Sequence, residues 1–545
     1  MGRGTHSSQH FLVTENILAA AVNPPPPPPL GYTVRLRLRR REKSLLTVQK
    51  GLRGIASILV LATHMARAWD FPLFWPSDDL GMGPRFLQLP IIRLPFQGRV
   101  GVPIFAFLTG FVCAYKPLKL AYVQGNQAAS LESIARSAFR RPPRLVLPAA
   151  VALFISFVLT ILGAYTTATR CDSFWVRFDA PGQAATFGEE LQRFFRTLLT
   201  TWTNGEVPYD RHQWAMRPLL IGAFQVYITL AATIGMRFKY RILVHVLLIV
   251  YWLMNTGPMT GKLSLFSNGP LRPPRLMCSF SETFGANLAL GTLLAELSLH
   301  RGTQNFLSGH ARLLTYVVAP LLLLIGGFIG SYPHEHEDWS AWSLALHRWF
   351  VNPRGDGSVG SIIVPVGSDP ARRMSSTAVQ LCAIAIFLSP SLKEALSGRI
   401  LLWLGKHSFA VYLVHGTLLR TLGMWIVYGI SGQPWNEPRF DNEGHLLDPI
   451  WIPSKGNFHK TVAMVVFVTV TYTAAWAWMK WVDTACADAT EWLAKKVFDE
   501  ETDARGAGKE GRAEQGLLMP ELHLNGHTIG YMNGRANGNM TSAPP

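Results

Sequence analysis

The sequence predicts an all-α fold, a multipass integral membrane bundle of about ten transmembrane helices. The apolar residues gather into blocks of about 17–25 residues with almost no charge, a length that spans a hydrocarbon core of ~30 Å. Of the 545 residues, 49% are hydrophobic and only 16% are charged. The 17 tryptophans supply side chains for the belts at the two membrane surfaces. A string of soluble domains is therefore excluded.

The apolar segments predict the topology of the chain. The ten segments are 51–68, 101–117, 144–166, 213–234, 240–256, 278–298, 313–331, 375–391, 402–429 and 459–481. The loops that follow the second and fourth segments are rich in Lys and Arg, whereas the loops 167–212, 332–374 and 430–458 also carry Asp and Glu. By the positive-inside rule, both termini are expected in the cytosol. The rule does not distinguish between organelles, and the endoplasmic reticulum or the plasma membrane is the expected location.

The two ends of the chain differ in composition from the apolar middle. Residues 1–44 contain six consecutive prolines and then a run of arginines, which predicts a disordered Pro/Arg-rich cytosolic arm. Residues 499–545 are rich in Gly, Asn, Glu and Arg and predict a disordered cytosolic tail. Residues 45–498 remain as one transmembrane domain.

The net charge of +17 is explained by loops that face anionic lipid headgroups, so membrane lipids are expected partners and nucleic acid is not. The five cysteines form no metal-binding spacing, and the loop His334–Asp338 is interpreted as solvated, so no metal site is expected. Cys171 and Cys278 both fall on the non-cytosolic side, which leaves a disulfide between them open.

An arginine and a histidine share one face of the first segment. Gly51–His64 reads Gly-Leu-Arg-Gly-Ile-Ala-Ser-Ile-Leu-Val-Leu-Ala-Thr-His. The eleven steps from Arg53 to His64 make three helical turns plus about 20°, a rise of ~16 Å. An ionisable side chain at that depth must face protein or a water-filled cavity and is a functional candidate. The alternative is a packing histidine that is hydrogen-bonded to a neighbouring helix.

A second polar stripe lies on the ninth segment. Ser408, Tyr412 and His415 stand at i, i+4 and i+7 and so share one face of an otherwise apolar helix. His415 is expected at a depth similar to that of His64. Hydrogen bonding between helices, acceptor positioning and a second proton relay are all open for His415, and packing is the alternative for Tyr412.

Four stretches in this order resemble the membrane-bound acyltransferase-3 family, in its fungal form. They are the Arg-(ten residues)-His of the first segment, Gly101-Val-Pro-Ile-Phe-Ala-Phe-Leu-Thr-Gly-Phe111, Arg140-Arg-Pro-Pro-Arg-Leu145 and Leu404-Gly-Lys-His-Ser-Phe-Ala-Val-Tyr-Leu-Val-His415. They resemble, in turn, the family's opening motif, its second span ending in Ser-Gly-Phe, its Arg-x-x-Arg segment and its late Leu-Gly-x-x-Ser-x-x-x-Tyr-Leu-x-His. The resemblance covers roughly residues 45–485.

The resemblance implies transfer of an acyl group, expected to be acetyl, from acyl-coenzyme A to a hydroxyl of a small metabolite, lipid or sugar. His64 is the expected general base, because burial in a low dielectric favours the neutral imidazole that a base requires. The expected ligands of the donor phosphates are Arg53, Arg141 and Arg144. Ser408, Tyr412, His415 and Thr109 are expected on the acceptor side, although small-residue packing is the alternative for Thr109. Acyl-coenzyme A is a co-substrate, and no tightly bound cofactor is implied.

Two rival hypotheses stand beside acyl transfer, and the first of them follows from a departure from the family's pattern. Fungal members carry Glu and Arg at two positions of the fourth span where this chain has Leu219 and Ile221. A catalytically inactive relative is therefore one alternative. If the chain is active, Glu282 in the sixth segment is a candidate to supply the missing carboxylate. The other is a transporter or acyl-group exporter that uses buried His and Arg.

Overall fold

The computed structural model describes residues 32–96, 98–254, 284–353, 360–361, 363–365, 368–437, 439–440, 446–447 and 450–498. Residues 499–545, most of the amino-terminal arm, Cys278 and Glu282 lie outside these ranges. The first helix begins at Tyr32, within the predicted arm. The stretch that follows alternates Arg with Leu, two residues of good helix propensity, which accounts for the earlier start.

The described residues form twelve helices of at least ten residues. They are α1 (Tyr32–Trp69), α2 (Gly101–Leu118), α3 (Gln127–Ile161), α4 (Phe187–Thr203), α5 (Met216–Thr233), α6 (Phe238–Met254), α7 (Ala286–Leu299), α8 (Ala319–Gly330), α9 (Pro370–Leu388), α10 (Arg399–Leu418), α11 (Asn457–Trp478) and α12 (Thr484–Val497).

Shorter elements connect these helices. Short α-helices are Thr166–Arg170, Phe174–Asp179, Arg301–Gly309, Ala311–Leu313, Ala341–Leu346, Pro390–Leu396 and Met424–Tyr428. Turns of 3₁₀-helix are Phe71–Phe74, Phe86–Gln88 and Arg211–Ala215, and π-helical turns are Lys119–Val123, Leu314–Val318, His347–Val351, Leu419–Gly423 and Met479–Asp483. Two antiparallel strands, β1 (Arg439–Phe440) and β2 (Leu446–Leu447), form a small hairpin in which Arg439 pairs with Leu447.

The fold is helical, as the sequence predicts, and each of the ten predicted segments overlaps a helix. Within the described ranges, six helices are long and apolar enough to cross a membrane, or seven if the bent pair of α9 and Pro390–Leu396 is one span. The count of about ten spans is therefore not confirmed. One reason is length: α7 has 14 residues, whereas about 20 are needed to span a bilayer.

Glycines bring α1 and α10 into backbone contact and set the register of the two helices. A Cβ atom built on Gly405 would lie 1.8 Å from the backbone oxygen of Lys50, and one built on Gly54 would lie 2.5 Å from a backbone oxygen of α10. Gly54 and Gly405 each precede a histidine by ten residues, a rise of ~15 Å along parallel helices. This register brings His64 and His415 together.

A second glycine contact joins α2 to α7. A Cβ atom on Gly110 would lie 2.1 Å from the backbone oxygen of Leu288, and one on Gly291 would lie 2.2 Å from that of Phe107. Thr109, only 2% exposed, is next to Gly110 on α2. The close approach of two backbones at small residues is a usual way to pack helices within a membrane.

Candidate active site

Two histidines from α1 and α10 are hydrogen-bonded to one another. Nε2 of His415 lies 3.0 Å from Nδ1 of His64. Nδ1 of His415 lies 3.0 Å and 2.9 Å from the backbone oxygens of Val411 and Tyr412. Because a carbonyl oxygen only accepts, an uncharged His415 carries its hydrogen on Nδ1 and accepts at Nε2. His64 then donates from Nδ1, which leaves a lone pair on its Nε2.

A third histidine, His212, joins this pair from the turn that precedes α5. Its ring centroid lies 4.1 Å from that of His64 and 4.9 Å from that of His415. Its Nδ1 lies 2.9 Å from Oδ1 of Asp210, so the neutral ring carries its hydrogen there and has a lone pair on Nε2. This Nε2 is buried without a hydrogen-bond partner among the described residues, with Oδ2 of Asp179 at 3.8 Å.

A fully buried arginine orders the carboxylates around His212. Nη2 of Arg420 donates to Oδ1 of Asp210 over 2.7 Å, and its Nη1 donates to the backbone oxygen of Asp179 over 3.0 Å. The same Nη1 is 3.5 Å from Oδ2 of Asp179. A buried charge is tolerated only when it is paired, so Arg420 and the two carboxylates stabilise one another. This network fixes the orientation of the His212 ring.

Small and aromatic residues complete the histidine cluster. A Cβ atom on Gly416 would lie 2.4 Å from Nδ1 of His212, so a larger residue at this position would displace the ring. Trp175 stacks on His64 with a centroid distance of 5.7 Å and an interplanar angle of 17°. The hydroxyl of Tyr412 donates to the backbone oxygen of His212. Tyr412 thereby holds the turn that carries the third imidazole.

The three imidazoles are also a set of residues that could hold a metal ion. One ring nitrogen of each lies within 4.8 Å of the others. Three histidines are a known zinc ligand set, and a carboxylate or carbonyl behind the ring, as at His212 and His415, is the usual orienting partner. Tetrahedral zinc, with bonds of ~2.0–2.1 Å to nitrogen, holds its ligand nitrogens ~3.3 Å apart, near the spacing of His64 and His415. The sequence predicts no metal site. The spacing of the three imidazoles is nevertheless compatible with a bound metal ion.

Arginines gather around Arg53 of α1, about 16 Å along the helix from His64. Arg53 and Arg141 are 6% and 7% exposed and lie close enough to repel one another. Nη2 of Arg53 and both Nε and Nη1 of Arg141 have no hydrogen-bond partner in the described part of the chain, although Arg141 also bonds the Tyr227 hydroxyl. Arg144 lies near Arg141 and near the carboxylate of Glu491. Two buried neighbouring cations without a carboxylate favour binding of an anion.

The structure thus divides the predicted site residues between two places. His64, His415 and Tyr412 meet in the histidine cluster, and Arg53, Arg141 and Arg144 form the arginine cluster. Ser408 bonds the backbone oxygen of Gly405 in its own helix over 2.9 Å, and Thr109 is buried on α2 with 2% of its surface exposed. The Ser408 hydroxyl therefore bonds within its own helix in this conformation.

A comparison with known protein families identifies the family of this chain. Residues 50–482 match the acyltransferase-3 family, which is described as an acyltransferase domain. The matched range covers well over half of the chain and contains both the histidine cluster and the arginine cluster. The chain belongs to the acyltransferase-3 family.

Two fungal proteins resemble this acyltransferase-3 member at low identity. The O-acetyltransferase PaAT-1 of Phomopsis amygdali is 25% identical over 394 residues, which cover 68% of this chain and 72% of the relative. The acyltransferase R4 of a Phoma species is 22% identical over 437 residues, which cover 70% and 85%. The family, these relatives and the apolar helices together describe an integral membrane acyltransferase.

The departure from the family's pattern lies outside both clusters. Leu219 packs against the apolar core that contains Phe111 and Leu288. Ile221, two residues along α5, is 41% exposed. In this acyltransferase-3 member, apolar residues at both positions suit an apolar core and an outward-facing surface.

Sequence reasoning missed four residues of the histidine cluster, namely Asp179, Asp210, His212 and Arg420. Two signals could have found three of them. Arg420 stands five residues after His415 in an apolar segment, and a charge at such a place is a functional candidate by default. Asp210 and His212 immediately precede the Trp214 stretch that resembles the family's fourth span.

Proposed function

We propose that this acyltransferase-3 member transfers an acetyl group from acetyl-coenzyme A to a hydroxyl of a small metabolite, lipid or sugar, with His64 as general base. The observation that supports this proposal most directly is the hydrogen-bond relay from the backbone oxygens of α10 through His415 to His64. The relay leaves Nε2 of His64 with a lone pair and no hydrogen-bond partner among the described residues. A lone pair held in a fixed direction is what proton abstraction from a hydroxyl requires.

The reaction needs one proton to move twice. Nε2 of His64 takes the proton of the acceptor hydroxyl while the oxygen attacks the thioester carbonyl. The tetrahedral intermediate then collapses, the carbon–sulfur bond breaks, and the departing coenzyme A thiolate takes the proton back from His64. The products are an ester and free coenzyme A. A positioned base of this kind contributes about 10²–10⁴-fold to the rate.

His212 supports the charge that develops on His64. Its ring stands edge-on to that of His64, and its two nitrogens face carboxylate oxygens at 2.9 Å and 3.8 Å. Asp210 and Asp179 thus hold in a fixed orientation the imidazole that contacts His64, the ring that becomes cationic when it accepts the proton. Stabilisation of developing charge by groups that are already oriented is a large term in enzyme catalysis.

Arg53, Arg141 and Arg144 bind the phosphates of the donor in this proposal. Guanidinium groups present forked donors that suit phosphate oxygens, and Arg53 and Arg141 have buried N–H groups that bond no other described residue. The rise of ~16 Å along α1 from Arg53 to His64 suits a donor whose pantetheine arm separates its phosphates from its thioester. The arginine cluster then faces the cytosol, as do both termini, in the endoplasmic reticulum or the plasma membrane.

Release of coenzyme A from labelled acetyl-coenzyme A by the purified protein tests the proposal. We expect His64→Ala to lower this release by at least about 100-fold, because the base is lost. The matched control is His310→Ala, which removes an exposed imidazole whose Nδ1 bonds only the backbone of its own helical turn. Unchanged release in His64→Ala would remove His64 as the base.

The same assay separates the rival hypotheses. Uptake of an unmodified solute into vesicles, without coenzyme A release, would favour a transporter. Neither uptake nor release in the wild-type protein would favour an inactive relative, the hypothesis raised by Leu219 and Ile221.

A further inference from the structure

A cavity of about 630 Å³ lies beside the histidine cluster, near the end of α3 that is remote from Arg141. Residues between 160 and 183 form most of its wall, and Trp435 and Trp451 form the rest. Small-molecule sites usually enclose about 300–1,000 Å³. The cavity therefore has the size for a small molecule.

One short helix separates this cavity from the histidines. The helix Phe174–Asp179 lines the cavity with one face. Its other side chains include Trp175, stacked on His64 at 5.7 Å, and Asp179, whose Oδ2 is 3.8 Å from Nε2 of His212. The cavity and the histidine cluster thus lie on opposite sides of this short helix.

A second connection runs through a tyrosine in the cavity wall. Tyr165 lines the cavity, and the guanidinium of Arg420 lies 5.8 Å from its ring centroid. Arg420 in turn bonds Asp210, which bonds His212. A ligand in the cavity therefore lies one layer of side chains from the histidine cluster.

The cavity wall combines cations with aromatic rings. The guanidinium of Arg170 lies 4.1 Å from the ring centroid of Trp435, and that of Arg177 lies 3.7 Å from the ring centroid of Trp451. Each donates to one backbone oxygen, and neither makes an ion pair in the described ranges. The described lining contains no acidic side chain. The carboxylate of Asp172, close in sequence, acts on Arg177 from beyond ion-pair distance and accepts from the Tyr428 hydroxyl.

We propose that this cavity is the acceptor site and that it takes a small hydroxylated carboxylic acid with an apolar body. The inference rests on the proposed acyl transfer and names its acceptor class. The two guanidiniums bind the carboxylate, and the tryptophan and phenylalanine rings cover the apolar body. The hydroxyl points toward the helix Phe174–Asp179, and Trp175 is the side chain that turns aside to admit it to His64.

Binding of matched acids and amides to the full-length protein in detergent tests the charge preference. The probes are hydroxynaphthoate and hydroxydecanoate, each compared with its uncharged primary amide by isothermal titration calorimetry. We expect at least one acid to bind about tenfold more tightly than its amide, because charged hydrogen bonds to guanidinium are lost in the amide. Equal binding of acid and amide in both pairs would overturn the proposal.

The arginines are tested by substitution. Arg170→Gln combined with Arg177→Gln should remove the preference for the acid, whereas Arg312→Gln, an exposed arginine before α8, should keep it. Preference that survives the double substitution would overturn the proposal. A melting curve of each variant checks that it is folded.

The two proposals fail in different ways. His64→Ala should bind the acid as the wild-type does while its release of coenzyme A falls by at least about 100-fold. Arginine-dependent binding without any acyl transfer would refute the proposed function and keep the binding site. If the protein acylates alcohols and the Michaelis constant for the alcohol is the same in the wild-type and in the double variant at Arg170 and Arg177, the acceptor site is refuted. The proposed function then stands.

Discussion

The arginine cluster and the histidine cluster both bury cations, but they differ in how the charge is compensated. Arg420, in the histidine cluster, is 0% exposed and is paired with Asp210 and Asp179. Arg53 and Arg141 are also buried, and neither makes an ion pair with a described residue. Because an unpaired buried charge is costly, Arg53 and Arg141 favour binding of an anion, whereas the charge of Arg420 is compensated by carboxylates of its own cluster. One cluster is suited to binding and the other to proton transfer.

The largest expected effect comes from removing a carboxylate that compensates the charge of Arg420 in the histidine cluster. Asp210→Asn keeps an oxygen near Nδ1 of His212 but removes the charge that fixes the tautomer. We expect the turnover number to fall by about 10²–10⁴-fold with the Michaelis constant for acetyl-coenzyme A unchanged. Steady-state kinetics of coenzyme A release measure both quantities.

Asp338→Asn is the control. Asp338 is exposed in a loop, so this variant should keep the wild-type activity. Removal of the Asp210 charge also leaves Arg420 with one carboxylate, so the melting temperature must be followed. A folded Asp210→Asn protein with wild-type turnover would contradict the role of the pair of Asp210 and His212.

Removal of a cation from the arginine cluster should affect binding and leave chemistry unchanged. For Arg53→Gln, we expect the Michaelis constant for acetyl-coenzyme A to rise about tenfold to 100-fold with little change in turnover number. Arg53→Gln should raise the Michaelis constant by a smaller factor when the donor lacks the phosphate that Arg53 binds. Arg312→Gln should leave both constants as they are.

Loss of turnover number in Arg53→Gln at an unchanged Michaelis constant would contradict this division of roles. It would place Arg53 in the reaction instead of in donor binding.

The register of α1 against α10 can be disturbed without substituting a residue of either cluster. In Gly405→Ala, the added methyl group would meet the backbone of Lys50, so α1 and α10 must separate. We expect a destabilisation of about 1–3 kcal/mol together with lower turnover, because the hydrogen bond between His64 and His415 lengthens. Thermal unfolding in detergent and coenzyme A release report the two effects.

Gly188→Ala is the matched control, since a Cβ atom on Gly188 in α4 meets nothing within 4 Å. Alanine is the better helix former, so this variant should be as stable as the wild-type or more stable. Equal stability of the Gly405 and Gly188 variants would show that the contact does not set the register.

The smallest expected effect is that of metal removal. If the three imidazoles serve as base and relay, dialysis against a chelator should leave coenzyme A release unchanged. Added zinc should then inhibit, because it ties up the lone pairs of His64 and His212, and His212→Ala should weaken that inhibition. Activity that is lost on chelation and restored by zinc would instead assign a metal to this cluster.

The sequence predicts the parts of the site that lie on one helix. Arg53 and His64 share a face of α1, and Tyr412 and His415 share a face of α10, because helical periodicity can be read directly. The meeting of His64 with His415 depends on which helices are neighbours. That neighbourhood follows from glycine contacts between residues some 350 positions apart, which the periodicity of one chain does not reveal.

The remainder of the histidine cluster comes from turns and short helices. Asp179 ends a six-residue helix, and Asp210 and His212 stand at a 3₁₀ turn, where no repeating pattern indicates which way a side chain points. Apolar content has a related limit, because it marks helices without telling burial in protein from contact with lipid. The helix α7, in which most side chains are buried, is apolar for packing and is short for a span.

Gly416 has a consequence for the evolution of this protein. Its missing side chain is the space that His212 occupies, so positions 212 and 416 are constrained as a pair. Among homologous chains, a bulkier residue at 416 should occur only where the imidazole at 212 has been lost. A glycine after the last histidine of the late motif would then mark the lineages that retain all three rings.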